Sequence, residues 1–124
     1  MIKQANIQFQ SNLYESKNPT RRWIHQIRRD WVLGKLNSFS SKDASVLEVG
    51  TGCGVYTKDL VDLYGHVKTI DFNPDFVLAS KTGSPSAHSE FANIETFHDG
   101  QLYDVILMTE VLEHVGNTKL SLVN

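Results

Sequence analysis

Apolar and polar positions change their period several times along the chain, and each change marks an element. Val46, Leu47 and Val49 form a short apolar run, the pattern of a parallel strand buried on both faces. Gly50, Gly52 and Gly54 follow at alternate positions, where the missing Cβ lets the backbone turn sharply and approach a ligand closely. The period then lengthens. Tyr56, Leu60, Leu63 and Tyr64 recur at steps of four, seven and eight, which predicts a helix ending at Gly65. Strand, glycine turn and helix in that order open a nucleotide-type α/β fold, with a ligand site at the helix N-terminus. The same turn also has a plainer reading, as a tight structural loop.

Upstream, residues 1–17 scatter Ile2, Ile7, Phe9, Leu13 and Tyr14 without a clean period, which suggests an arm or short helix. Asn18-Pro19 is a helix start, asparagine as N-cap and proline at the first helical position. The predicted helix runs to about Phe39 and places Trp23, Ile27, Trp31, Val32, Leu36 and Phe39 at steps of one, three and four. Downstream, His66 to Asp71 reads as a second strand. Asn73-Pro74 repeats the cap signal for a helix over Asp75 to about Lys81, expected to bury Phe76, Val77 and Ala79 or Leu78. Gly83 to Ser86 is a loop, a third strand lies near His88 to Ala92, and Asp99-Gly100 is a turn. Tyr103 to Thr109 is a fourth strand, apolar enough to be central. Glu110 to Val115 reads as a turn or short helix, with another helix beginning at Asn117. Strands alternating with helices predict a parallel sheet.

Composition narrows the class. The 124 residues suit one domain with one core, and 40% hydrophobic with 21% charged residues is ordinary for a globular protein. No apolar run could span a bilayer, the first residues lack a secretory h-region, and Cys53 is the only cysteine, so no internal disulfide forms. A cytoplasmic protein is expected, without membrane partners. The net charge of −2 hides an asymmetry of +6 over residues 1–42 and −8 over residues 43–124. This division separates an N-terminal arm and amphipathic helix from an α/β domain. Arg21, Arg22, Arg28 and Arg29 read either as an anion or nucleic-acid patch or as a solvated helix face. No aromatics interleave with them in the stacking manner of single-strand binders, so no nucleic-acid partner is expected.

The glycine spacing separates ligand classes. A dinucleotide fingerprint needs G-x-G-x-x-G, but Val55 stands where the third glycine belongs and Gly54 comes one residue early. No Lys-Ser/Thr pair follows, which excludes a P-loop. Asp71 ends the second strand, 21 residues after Gly50, where a carboxylate can accept from ribose hydroxyls. It also reads as a turn residue before Asn73-Pro74. Glu48 with Gly50-Thr51-Gly52-Cys53-Gly54 resembles the first motif of the class I S-adenosylmethionine-dependent methyltransferases. The run from Tyr103 to Val115, ending Glu110-Val111-Leu112-Glu113-His114-Val115, resembles the strand-four region of their ubiquinone-biosynthesis O-methyltransferase type.

This resemblance, covering roughly residues 43–116, implies a Rossmann-like methyltransferase fold with S-adenosylmethionine as cofactor and a small-molecule methyl acceptor. Gly50, Thr51, Gly52 and Gly54 would line the methionine and ribose through their backbones. Glu48 would support the loop or reach the methionine ammonium through water. Asp71 would bind the ribose, Phe72 would pack on the adenine, and Asn93-Ile94 would supply the adenine edge contact, although the acidic residue often found there is absent. Thr109 and Glu110 would face the methionine and the departing methyl group. The ligand is net cationic, and an acidic domain suits it.

Methyl transfer is an in-line displacement in which alignment supplies much of the rate. His114 is the candidate base for an oxygen acceptor, or else it holds the turn by bonding backbone. His25, His66, His88 and His98 form no metal set, and no metal is expected. The family's strand order is 3-2-1-4-5-7-6, and about four strands are visible here. The cofactor half is thus present and the C-terminal strands, with the acceptor half, are missing. Without strand five, Val105 to Met108 becomes an apolar edge, predicting self-association or a fragment of a longer enzyme. The alternative function is a non-catalytic cofactor-binding or regulatory half-domain docking on a partner. An NAD-linked oxidoreductase ranks third because of Val55.

Overall fold

The computed structural model describes residues 17–109 and residue 116. The expected N-terminal arm, the Glu110 to Val115 turn and the helix from Asn117 lie outside the described residues. Helix α1 spans Pro19–Phe39 and starts as its cap signal predicts. The Asn18 side chain accepts from the Thr20 and Arg21 amides at 3.0 and 3.3 Å, satisfying two of the helix's orphan donors. Strand β1 is Ser45–Val49, helix α2 Val55–Leu63 and strand β2 His66–Asp71. Helix α3 is Pro74–Gly83, strand β3 His88–Phe91 and strand β4 Val105–Met108. Asn73 caps α3 by accepting from the Asp75 amide.

The four strands are all parallel, in the order β3-β2-β1-β4. β1 is central. Val46, Leu47, Glu48 and Val49 pair with Val67 to Ile70 on one side and with Val105 to Met108 on the other. Strand residues alternate between faces, and two clusters result. Val46, Val67 and Leu107 pack with Tyr56, Leu60 and Tyr64 of the α2 region, and Val32, Leu33 and Leu36 of α1 lean on that cluster. Leu47, Val49 and Ile70 turn the other way, onto Ile94 and Phe97. That second face carries no helix among the described residues. Lys68, on β2, ties down its covering loop instead, bonding Glu90 at 2.9 Å and Asp99 at 3.0 Å while Tyr103 donates to Asp99. Burial alone would raise the Asp99 carboxyl, but donors from Tyr103, the Gln101 backbone and Lys68 bring it down to about 2.

Three expectations change on contact with the structure. α3 buries Val77 and Ser80 and exposes Leu78. Ser80 bonds Ser89, which accepts from Thr69, so a buried hydroxyl chain takes the place of a larger apolar side chain. β4 is an end strand of the described sheet and Ile106 is exposed, so its apolar run is not central but forms the edge expected where no fifth strand follows. The four arginines do not act as one face. Arg29 reaches Asp59 on α2 through two 2.7 Å bonds, a bidentate clamp between the helices.

That clamp is partly solvated, so its expected coupling is about 1 kcal/mol. A double-mutant cycle of Arg29→Ala and Asp59→Ala, read by urea denaturation, should show it. Strictly additive losses would mean that Val32, Leu33 and Leu36 hold α1 without help.

Candidate functional site

The order of strands reverses at β1, since β2 and β3 lie to one side and β4 to the other. Such switch points open a crevice at the C-terminal strand ends of parallel sheets. The glycine turn emerges there. Gly50, Gly52 and Gly54 have φ of +78°, +53° and +83°, a region that costs an L side chain about 1–2 kcal/mol. Gly54 is also the N-cap of α2. An aspartate or serine would supply a capping oxygen there; glycine instead leaves the first amides of the helix facing the crevice.

Asp71 ends β2 beside this turn. Its Oδ2 accepts from the Gly52 amide at 3.2 Å and the Thr51 hydroxyl at 3.3 Å, and its Oδ1 accepts from the Asn73 amide at 2.8 Å. Asp71 therefore shapes the Asn73-Pro74 turn, as its turn reading expects, and also sits against the glycine loop. Phe72, next along, is exposed and stacks on Phe91 with ring centroids 5.8 Å apart. Phe91 pairs with Asp71 in the β2–β3 register. Sequence reasoning passed over Phe91, although an aromatic ending the third strand was visible signal. Asn93 closes the next turn by accepting from the Glu95 amide. The Ile94 side chain is buried in the Leu47–Phe97 cluster, so it does not face the crevice. Thr109 follows β4 at the same end of the sheet. Glu110 and His114 lie outside the described residues.

Glu48 lies under the site. It is 1% exposed and accepts from the Thr57 hydroxyl of α2 at 2.6 Å. Its carboxyl braces the first turn of the helix below the crevice and has no opening through which to meet a ligand. Burial pushes it up to about 8, the Thr57 hydrogen bond opposing and the Asp71 charge adding to the rise. Among the described residues no three His, Cys, Asp or Glu side chains gather to hold a metal. None of the described helices is long and apolar enough to cross a membrane.

A profile of the methyltransferase domain family matches residues 47–123. The chain is 27% identical over 108 residues to the ubiquinone biosynthesis O-methyltransferase of Rickettsia akari (strain Hartford), covering 82% of this chain and 43% of that protein. It is 30% identical over 107 residues to the enzyme of the same name from Rickettsia bellii (strain OSU 85-389), covering 82% and 45%. The chain thus spans under half the length of these curated relatives. Among solved structures, the N-methyltransferase NodS from Bradyrhizobium japonicum WM9, in complex with S-adenosyl-L-homocysteine, superposes with a TM-score of 0.71 at 22% identity, over 96% of this chain and 60% of that one. CalS10 from Micromonospora echinaspora, an amino pentose methyltransferase in a S-adenosylmethionine-bound structure, gives 0.66 at 17%, over 76% and 40%. At these identities the likeness is one of fold, and that fold is the Rossmann-like one.

The electrostatics of Glu48 generate a test. Its folded value lies above the ordinary 4.5, so the folded state holds that proton more tightly than the unfolded chain. The contribution is full below 4.5 and is lost as pH rises through about 8. Glu48→Gln keeps the shape without the titration. Thermal melts should show the parent losing stability over that window while the variant stays flatter and overtakes it near the alkaline end. Parallel curves would mean that Glu48 is no better protonated in the fold than out of it.

Proposed function

The chain belongs to the methyltransferase domain family, and from that premise we propose that it binds S-adenosylmethionine at the glycine loop and directs its methyl group to a small-molecule acceptor. The observation that carries this is the meeting of Asp71 with the Gly50–Gly54 turn beside an exposed aromatic. Those parts suit an adenosine bearing a charged tail. A carboxylate accepts from a ribose diol, an aromatic face stacks on a base, and backbone amides freed of Cβ cover take the carboxylate of an amino acid. When bound, the cofactor supplies an activated methyl on a cationic sulfur.

This chain's residues have a positioning task. Asp71 would fix the ribose, Phe72 the adenine with Phe91 behind it, and the Asn93-Ile94 backbone the adenine edge. Gly50, Thr51, Gly52 and Gly54 would seat the amino-acid end, with Glu48 holding the loop's base against α2. Thr109 and Glu110 would border the methyl group, and His114 would take the proton from an oxygen acceptor as the new bond forms. Residues 43–124 would carry this site, residues 1–42 being appended to it, in a cytoplasmic setting. The outer edge of β4 would take a further strand, from the rest of a longer chain or from a second copy. A second reading is cofactor binding without transfer. Methyl transfer to a small-molecule acceptor would exclude it.

Calorimetric titration with S-adenosylhomocysteine should give saturable binding. Asp71→Ala should weaken it roughly 10–100-fold, the worth of a charge-assisted bond of about 1.5–3 kcal/mol. Equal affinity in that variant would remove the ribose role. Gly52→Val should abolish binding, because a branched side chain is strained at φ +53° and displaces the loop, while far-UV circular dichroism stays close to that of the parent because the strain is confined to the turn. Unchanged affinity there would place the ligand elsewhere.

A further inference from the structure

Lys68 stands within β2, three positions before Asp71, and its side chain is only 13% exposed. A lysine stem lies readily along apolar surface, but a covered ammonium needs partners. Its Nζ is 2.9 Å from Glu90 on β3 and 3.0 Å from Asp99, and it sits 5.2 Å from the centre of the Phe97 ring. Burial works against the charge of Lys68, but the bonds to Glu90 and Asp99 outweigh it and raise the group above the ordinary lysine value. The ammonium is therefore a fixed part of the fold at neutral pH. Where its partners lie in the chain gives it a second meaning. Glu90 immediately precedes residues 91–98, and Asp99 immediately follows them. That segment carries Phe91, stacked on Phe72, and Asn93-Ile94. Between its ends, the Ala92 amide donates to the Asp71 carbonyl at 3.0 Å, and Ile94 and Phe97 pack with Ile70. One cation thus closes both ends of the segment onto the strand that ends in Asp71.

We propose that Lys68 is a positioning residue for base selection: by clasping Glu90 and Asp99 it holds the Asn93-Ile94 backbone where that backbone tells adenine from other bases, a step that rests on the S-adenosylmethionine reading given above. Lys68 acts through the segment and not on the ligand. Adenine N1 is an acceptor that a backbone amide can bond. Hypoxanthine carries a proton on N1 and an oxo group in place of the 6-amino group, so the same amide meets a donor. A segment held at both ends discriminates between the two, whereas a loose one shifts to suit either. Removing the ammonium leaves the Glu90 and Asp99 carboxylates within about 6 Å of each other as like charges, which drives the ends apart. Tyr103 donates to the same Asp99 oxygen but brings no positive charge to offset that repulsion. The ribose and amino-acid contacts assigned to Asp71 and the glycine turn do not pass through residues 91–98.

Calorimetric titration with S-adenosylhomocysteine and with S-inosylhomocysteine, which differ only in the base, tests this. The parent should prefer the adenine ligand about 10-fold. Lys68→Met keeps the stem without the charge and should bring the two affinities within about 2-fold, chiefly by weakening the adenine ligand. Lys68→Arg keeps a cation between the two carboxylates and should retain the preference. Glu90→Gln, at a half-exposed partner, opens one end of the clasp and should give an intermediate preference even if Lys68→Met fails to fold. Arg29→Ala loosens the clamp between α1 and α2 and should lower the melting temperature with the parent's preference intact, so lost stability alone does not imitate the Lys68 effect. An unchanged preference in Lys68→Met and Glu90→Gln overturns the proposal, as does its loss in Lys68→Arg or in Arg29→Ala. A parent that binds both ligands equally overturns it too, while leaving the cofactor reading in place. A parent that binds neither removes the cofactor reading and this proposal with it.

Discussion

The left-handed backbone at three alternate positions after β1 is the constraint on which the site depends. With φ positive at Gly50, Gly52 and Gly54, the chain reverses from a buried strand into α2 within a few residues. Side chains at those positions would each add strain of about 1–2 kcal/mol. The tight reversal lets α2 start directly over β1, which puts Thr57 within 2.6 Å of Glu48. It also turns the Gly52 amide toward Asp71. A longer turn would separate the helix from the strand and the amide from the carboxylate together. The loop, the Thr57–Glu48 brace and the Gly52–Asp71 contact are consequences of one local geometry.

Much of this was legible in the chain, because the governing signals are local. Asn18-Pro19 and Asn73-Pro74 are cap and first-position residues whose chemistry is complete within a few positions, and both helices begin there. The β1–glycine–α2 unit and Asp71 follow from period and spacing. What escaped depends on neighbours distant in sequence. α1 carries two apolar stripes, and periodicity alone does not say whether Trp23-Ile27-Trp31 or Val32-Leu33-Leu36 meets the core. The answer comes from β-sheet and α2 residues, and the smaller aliphatics win the interior while the tryptophans stay outside. Phe91 gains its place only through the register that sets it opposite Asp71. Lys68 reads as an exposed strand residue until the loop around Asp99 and Tyr103 closes on it.

Buried polar groups explain the remaining departures. Glu48, Thr69 and Ser89 lie level across β1, β2 and β3, and each finds a hydroxyl partner: Thr57 for Glu48, and Ser89 and Ser80 in a chain with Thr69. A hydrophobicity pattern treats such positions as solvent-facing. Here short hydrogen-bonding side chains under the helices meet the requirement that buried polar atoms be paired. They do so on the face that supports the crevice, so the site rests on a polar layer and not on a purely apolar one.

The central claim is that the glycine turn and Asp71 together form the ligand seat. Glycine-selective ¹⁵N labelling reads it directly, because the chain's eight glycines sample both the turn and regions remote from it. On titration with S-adenosylhomocysteine, the Gly50, Gly52 and Gly54 amides should shift along one saturable curve, Gly52 most as its bond to Asp71 rearranges. Gly34 on α1 and Gly65 at the far end of α2 should stay in place. Static turn glycines, or shifts confined to Gly34 and Gly65, would contradict the account.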